Sequence, residues 1–179
     1  MNVSLPKKNG SPVAKDPNII LIDVDDVLTW PARNAGGVLI SGDLVLKPDA
    51  KAIAMYATPS TISRNDVSEG DPDAEGFIQN LSFERPGDDL AFNEFIQNKV
   101  QANLIAITTE CSDSTGTRLH GTKCCPIKFK YTGTDNKDAK KSMLEFASVQ
   151  RSKYKMAHYG GAIPVVAPNA PDESEESGI

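Results

Sequence analysis

Apolar residues in this chain occur only in short runs, and run length limits the possible folds more than any other feature. Asn18–Ile22, Ile53–Thr58 and Asn103–Thr109 are five, six and seven residues long, and each contains isoleucine. Short runs of this kind between polar or proline-containing stretches are typical of β-strands. A helix that crosses a bilayer needs about 20 consecutive apolar residues. The sequence therefore predicts a mainly β protein and argues against a transmembrane one.

The remaining strand signals are shorter or interrupted. Val38–Ile40 and Leu44–Leu46 flank Ser41-Gly42-Asp43, which predicts a β-hairpin with glycine in its turn. Ile127–Thr132 alternates between apolar and lysine side chains at its start, as a half-buried strand does. Further strands are predicted at 76–84, 118–120 and 143–150, with a long polar loop at 59–75 and a polar turn at 133–141.

One segment has helical periodicity. Phe92, Phe95, Ile96 and Val100 recur at the spacing of one helix face, and Asp88 or Asp89 can cap the N-terminus. This predicts a single α-helix at about 89–101. The predicted fold class is mainly β: a β-sandwich or barrel of about eight to nine strands with one flanking α-helix.

Length and composition predict one domain. The chain has 179 residues, 39% of them hydrophobic and 24% charged, which is ordinary for a globular protein. We expect a flexible N-terminal arm at 1–17, a β-rich domain at 18–163 and a flexible acidic tail at 164–179, because both end segments are polar and rich in proline. The N-terminus lacks an apolar signal-peptide region. Three cysteines are too few for a disulfide scaffold, which favours a reducing compartment.

Charge is unevenly distributed along the chain, whose formal net charge is -5. Residues 60–117 carry three basic and eleven acidic side chains, whereas residues 118–158 carry ten basic and three acidic ones. An acidic total argues against a general nucleic-acid-binding protein. Opposite signs on different faces would favour head-to-tail contact between copies, with ordinary solvated surface as the alternative. The residues concerned are Asp66, Glu69, Asp71, Asp73 and Glu75 on the acidic side and Lys123, Lys128, Lys130, Lys137, Lys140 and Lys141 on the basic side.

The sharpest motif is Asp23-Val24-Asp25 at the end of the first apolar run. A strand followed by Asp-x-Asp resembles the start of haloacid-dehalogenase-type phosphatases, which implies a nucleophile at Asp23 and a general acid/base at Asp25 beside Mg²⁺. The chain departs from that pattern, because a hairpin signal follows the motif where a helix is required. We therefore expect Asp23 and Asp25 to have no catalytic role. The same resemblance would assign the later motifs to Thr108 or Thr109 and to Asp135 and Asp138.

A second candidate site combines cysteines with histidine. Cys111, His120, Cys124 and Cys125 offer zinc ligands, but their spacing lacks a C-x2-C knuckle. Packing of the cysteines as small apolar side chains is the preferred interpretation. His158 is expected to lie in a late polar turn. The sequence thus predicts no catalytic, cofactor-binding or metal-binding residues.

Three stretches resemble phage virion proteins from hosts in the Bacteroides group. They are IAMYATPST, SEGDPDAEGFIQNLSFERPG and EFASVQRSKYKMAHYGG. The order of elements over residues 18–163, with one helix, a long acidic loop and terminal arms, resembles the tail-tube proteins of tailed bacteriophages, a family shared with contractile injection systems. The acidic segment after Gly161 has no counterpart in that pattern.

The resemblance implies a structural virion protein and not an enzyme. Its subunits would form rings, commonly hexameric, which stack through loops and arms into a tube. The lumen would hold a tape-measure protein and later pass DNA without binding it specifically, in the virion tail assembled in the bacterial cytoplasm. No membrane partner is implied. The alternatives are a head–tail connector or tail-terminator ring and, less favoured, the Mg²⁺-dependent phosphatase using Asp23 and Asp25.

Overall fold

The computed structural model describes residues 2–111 and 116–170, and these residues form twelve strands and one α-helix. The mainly β class with a single helix is confirmed. The first six strands are β1 (Asn18–Asp23), β2 (Val27–Thr29), β3 (Leu39–Ile40), β4 (Val45–Leu46), β5 (Ile53–Tyr56) and β6 (Ser63–Glu69). The others are β7 (Gly76–Pro86), β8 (Leu104–Thr108), β9 (Arg118–His120), β10 (Ile127–Asp135), β11 (Lys140–Ser148) and β12 (Ala157–Tyr159), and the helix α1 is Leu90–Lys99.

A ten-stranded sheet carries most of the fold. Its main path runs β3-β12-β9-β8-β10-β11-β7-β6, and β1 joins it by pairing with β8 on one side and β5 on the other. The pairs are antiparallel except β12 with β3. A separate two-stranded sheet is formed by β2 and β4.

The central strands are buried on both faces, which explains why they are continuously apolar. In β1, Ile19 and Leu21 belong to one hydrophobic cluster, whereas Ile20 and Ile22 belong to the other. The first cluster also takes side chains from β5, β7, β10, β11 and α1, so strands far apart in the sheet order enclose a common core. The second cluster lies on the opposite face and is covered by the segment between β2 and β5.

The helix closes the first cluster from one end. Asp89 caps it, with its carboxylate accepting the backbone N–H of Phe92 at 2.8 Å. Phe92 is buried, and Phe95 stacks on Phe129 of β10 with ring centroids 5.7 Å apart. The predicted helix is confirmed to within two residues at its C-terminus, although Val100 is exposed rather than part of the packed face.

Strand directions define two ends of the molecule. Antiparallel pairing from β8 through β10, β11 and β7 to β6 makes β8, β11 and β6 run the same way. The turn 70–75 between β6 and β7, the last residue of β8 and the first residue of β1 therefore lie at one end, which we call the acidic end. The turn 136–139 between β10 and β11 and the last residue of β7 lie at the opposite end, the helical end. The 11-residue strand β7 alone spans about 35 Å between them.

The predicted loop at 59–75 is wrong, because residues 63–69 form β6 and pair with β7 along their whole length. Hydropathy does not detect this strand, since its inward-facing side chains are polar and find polar partners. Arg64 reaches β8, and Asp66 accepts the backbone N–H of Met156 at 3.0 Å. Gly70 ends the strand at φ +133°, where a side chain would collide with the carbonyl of Ala74.

The predicted hairpin around Ser41-Gly42-Asp43 is also wrong. Its two strands exist as β3 and β4, but β3 pairs with β12 and β4 pairs with β2. The chain passes from one sheet to the other over Tyr159, whose hydroxyl accepts the N–H of Leu44 at 3.0 Å and donates to the carbonyl of Ala162 at 2.7 Å. Burial of this tyrosine directs the connection, and its position is remote in sequence.

Two smaller predictions need correction. The polar turn is only 136–139, because β10 and β11 extend the pairing to Asp135 and Lys140 on either side. His158 lies in β12 and not in a turn, with its backbone N–H bound to the carbonyl of Val38 at 2.8 Å.

The terminal segments contact the domain near its borders. The N–H of Asp16 donates to the carbonyl of Thr109 at 2.8 Å, and the N–H of Cys111 donates to the carbonyl of Ala14 at 2.9 Å. After residue 163, Ala52 binds Val165 and Ala167 through two backbone hydrogen bonds. The acidic cluster expected in the C-terminal tail, at 171–179, lies outside the described residues.

Candidate functional site

The lining of the first hydrophobic cluster becomes polar toward the acidic end. Along β8, the inward-facing residues change from Leu104 and Ala106 to Thr108. His120 of β9 and Arg64 of β6 meet Thr108 there, and Glu110 follows directly after the strand. We call Arg64, Thr108, Glu110 and His120 the polar cluster.

Arg64 is the centre of the polar cluster. Its Nη1 donates to the Thr108 hydroxyl at 3.1 Å and to the carbonyl of Gly116 at 3.0 Å. Its Nη2 forms a charge-assisted hydrogen bond with the Glu110 carboxylate. Lys15 lies 3.6 Å from the same carboxylate, so the N-terminal segment is tied to the cluster as well. Burial lowers the pKa of Arg64, and the charge of Glu110 opposes that effect.

His120 is completely buried and neutral. Its Nε2 lies 3.0 Å from the Thr108 hydroxyl. Burial, with smaller contributions from the positive charges of Arg64 and Arg118, lowers the pKa of the imidazole to about 3. Its Nδ1 is buried and has no hydrogen-bond partner within residues 2–111 and 116–170. A protonated His120 would therefore place a third positive charge in a dry environment.

The buried side-chain amide of Gln79 extends the polar region toward β7. The Gln79 side chain accepts the N–H of Gly121 at 2.8 Å and donates to the carbonyl of Tyr154 at 3.1 Å. Its backbone N–H donates to the Ser148 hydroxyl at 2.9 Å. Buried polar groups with partners in several strands fix the relative positions of those strands.

The chemistry of this region is that of a structural polar core. Thr108 and His120 have no exposed surface, so their hydroxyl and imidazole are covered by the protein itself. Arg64, Thr108 and His120 come from three different strands, and their contacts connect β6, β8 and β9. The sequence does not predict Arg64, Glu110 or Gln79 as site residues. The signal for Arg64 is a polar residue at an inward position of an alternating strand, but the polar composition of residues 59–75 predicts a loop there.

The Asp-x-Asp motif lies elsewhere. The Asp23 carboxylate accepts the N–H of Asp25 at 3.1 Å and pairs with Lys99 of α1 at 3.1 Å. Asp23 is opposite Leu104, four residues before Thr108 on β8, which separates these positions by about 13 Å along the strand. Asp135 and Asp138 belong to the helical end, at the tip of β10 and β11. The fold thus does not bring these motifs together.

The residues of the candidate zinc site also differ in burial and in their partners. Cys125 is buried, and its thiol donates to the carbonyl of Gln150 at 2.9 Å, whereas Cys111 and Cys124 are exposed. His120 contacts Thr108 instead of a thiol. Within the described ranges, the structure contains no group of three or more His, Cys, Asp or Glu side chains arranged to hold a metal ion.

The acidic stretch forms a group of carboxylates around the turn 70–75, where Arg151 of the basic stretch also donates to the carbonyl of Ala74 at 3.3 Å. Glu69, Asp71, Asp73 and Glu75 surround the exposed turn at the acidic end, and in the part of the chain that the structure describes none of these four forms an ion pair. We call them the turn carboxylates.

Lys140 and Lys141 at the helical end are already partnered. Lys141 pairs with Glu84 at 2.9 Å, and Lys140 lies 3.6 Å from Asp88 and 3.8 Å from Asp135. The charges of these two lysines are therefore largely neutralised within the chain, whereas Lys137 in the turn 136–139 is exposed.

Comparison of the chain with protein-family models, with curated proteins and with solved structures finds no match. Among the described residues, no helix is long and apolar enough to cross a membrane.

Proposed function

We propose that this chain is a structural virion protein, a tail-tube subunit whose copies form rings that stack into a hollow tube. The observation that carries the proposal is the placement of two β-hairpin turns at opposite ends of one long sheet. Turn 70–75 lies at the acidic end and turn 136–139 at the helical end. A subunit with different contact surfaces at its two ends can stack head to tail without limit.

The free edge of β6 is a suitable surface for contact between neighbouring subunits within a ring. β6 is the last strand of the sheet path, and its backbone bonds only to β7 among the described residues. Val67 on this strand is 44% exposed. A long strand with one open edge is a ready partner for another strand. Side-by-side association of copies would satisfy those backbone groups.

Charge supports stacking less strongly than the sequence suggested. The turn carboxylates are available for a neighbour, but Lys140 and Lys141 are held by Asp88, Asp135 and Glu84 in their own subunit. Stacking would therefore rest on shape and backbone contacts together with charge. A tube of acidic subunits would pass DNA without holding its phosphates, since retention requires Lys or Arg to neutralise them.

Electron microscopy of the purified protein in negative stain tests the proposal. We expect rings that stack into tubes at increasing protein concentration. Closed rings that never stack would favour the connector or terminator alternative. A protein that remains monomeric at all concentrations would overturn the proposed function.

A further inference from the structure

The N-terminal arm of one copy has a partner surface on the next copy. We infer that residues 2–13 of one subunit add as a strand to the open edge of β6 in a neighbouring subunit. This inference rests on the proposed function, because both need contact between copies, and it names the segment that occupies the edge.

The arm is available. Every residue from 2 to 14 is exposed, and Leu5 is 89% exposed. The hydrogen bonds within residues 2–13 are local ones, in which Asn9 accepts from the backbone and hydroxyl of Ser11. Lys15 also donates to the carbonyl of Val13. Among the described residues, no hydrogen bond or ion pair joins residues 2–13 to β6 of the same subunit.

The arm leaves the domain at the same end of the subunit as the C-terminal end of β6. Backbone bonds hold Ala14 and Asp16 against Cys111 and Thr109, directly beyond the end of β8. Since β8 and β6 run in the same direction, the arm leaves from the acidic end, where β6 also ends. Twelve extended residues reach at most about 40 Å, enough to cross to an adjacent subunit of this size.

Charge complementarity selects the arm as the occupant. It contains Lys7 and Lys8, and the first acidic residue of the chain is Asp16. The open edge of β6 leads into the turn carboxylates, which have no ion pair within the described ranges. A parallel alignment places Val3 and Leu5 along β6, near Val67, and the two lysines beside Glu69 and Asp71.

The position of proline fits the same alignment. Alternate residues of a strand direct their backbone groups to opposite edges. If Val3, Leu5 and Lys7 face β6, then Pro6 faces outward, where the missing N–H is not needed. The arm can therefore pair as an edge strand despite its proline.

Zero-length cross-linking of mixed subunits tests the contact directly. A carbodiimide converts a carboxylate into an O-acylisourea, and a lysine amine then attacks the acyl carbon, which forms an amide bond and releases the urea. Unlabelled and ¹⁵N-labelled full-length protein are mixed before assembly. We expect peptides that join Lys7 or Lys8 of one isotope to a turn carboxylate of the other. Links formed only within one isotope, or mainly to other carboxylates, would overturn the inference.

Charge and backbone variants test its two components. Lys7→Glu with Lys8→Glu should weaken assembly several-fold at low salt and have little effect at 1 M salt, where screening acts within about 3 Å. The matched control is Lys47→Glu with Lys51→Glu, which reverses two exposed lysines elsewhere. Leu5→Pro should weaken assembly because it removes a donor facing β6, and Ser4→Pro should not. Equal effects of the two proline variants would count against strand addition.

Sedimentation of the same samples separates the two proposals. Rings or tubes without the mixed cross-link would overturn the arm inference alone. Small oligomers that contain the cross-link but never close into rings would support the arm inference and contradict the tube.

Discussion

At the scale of single residues, His120 makes the stability of this protein depend on pH. Its pKa falls from 6.5 to about 3 on folding, so the unfolded chain binds more protons between these values. The contribution of His120 to the unfolding free energy is therefore complete above pH 6.5 and decreases as the solution becomes more acidic. The loss from this residue approaches about 1.4 kcal/mol for each pH unit in that window.

Chemical denaturation at pH 7 and pH 4.5 measures this dependence. We expect His120→Leu to flatten the change in unfolding free energy between the two pH values, whatever its effect on stability at pH 7. His158→Gln is the matched control, because His158 is the other histidine and is exposed. An unchanged slope in His120→Leu would show that other groups cause the acid sensitivity.

Arg64 matters for its geometry as well as its charge. Its planar guanidinium reaches a hydroxyl, a carbonyl and a carboxylate at once, which a single ammonium group does not reproduce. We expect Arg64→Lys and Arg64→Met both to lower the unfolding free energy, by about 1–3 kcal/mol. Arg151→Met, at an exposed arginine whose guanidinium donates to the carbonyl of Ala74 at 3.3 Å, should change it by less than about 0.5 kcal/mol. Thermal and urea unfolding measure both values.

At the scale of elements, α1 depends on its cap. Burial alone would raise the pKa of Asp89, but the N–H of Phe92 and the charge of Arg85 lower it overall. Asp89→Ala removes the cap and should lower the unfolding free energy by about 1 kcal/mol. The adjacent Asp88→Ala removes only exposed contacts with Asn93 and Lys140 and should cost less. A larger loss in Asp88→Ala would show that the cap is not the main stabilising contact.

Elements whose own residues form a hydrophobic pattern are predictable from the sequence. β1, β8 and α1 were found because runs of isoleucine and the spacing of phenylalanines depend on nearby residues. β6 was missed because its inward residues, Arg64 and Asp66, are satisfied by groups more than 40 positions away. The pairing of β3 with β12 depends on the same kind of distant contact.

The polar cluster is even harder to predict from the sequence. Thr108 and His120 appeared only as members of unrelated hypothetical sites, a phosphatase motif and a zinc site. Their real relationship needs antiparallel pairing of β8 with β9, which places Ala106 opposite His120 and Thr108 opposite Arg118. No spacing rule in the sequence specifies that pairing.

At the scale of the whole molecule, the open edge of β6 should control association between copies. Val67→Lys places a positive charge on that edge, beside the site inferred for Lys7 and Lys8, and should raise the protein concentration needed for assembly. Val45→Lys is the matched control, since Val45 of β4 is also 44% exposed and lies in the other sheet. Light scattering across a concentration series measures the shift. Equal effects of the two variants would argue that β6 is ordinary surface.

Hydrogen exchange can locate the contact between copies without any substitution. Because β6 pairs with β7 on one side only, alternate amides of residues 63–69 are bonded in the free subunit and the others face outward. We expect the monomer to show partial protection of this strand, in contrast to the full mobility that a loop would give. Assembly should then protect the outward-facing amides, while the amides paired to β7 change little. Protection that is identical in monomer and polymer would place the contact between subunits away from β6, because an amide that gains a strand partner must exchange more slowly.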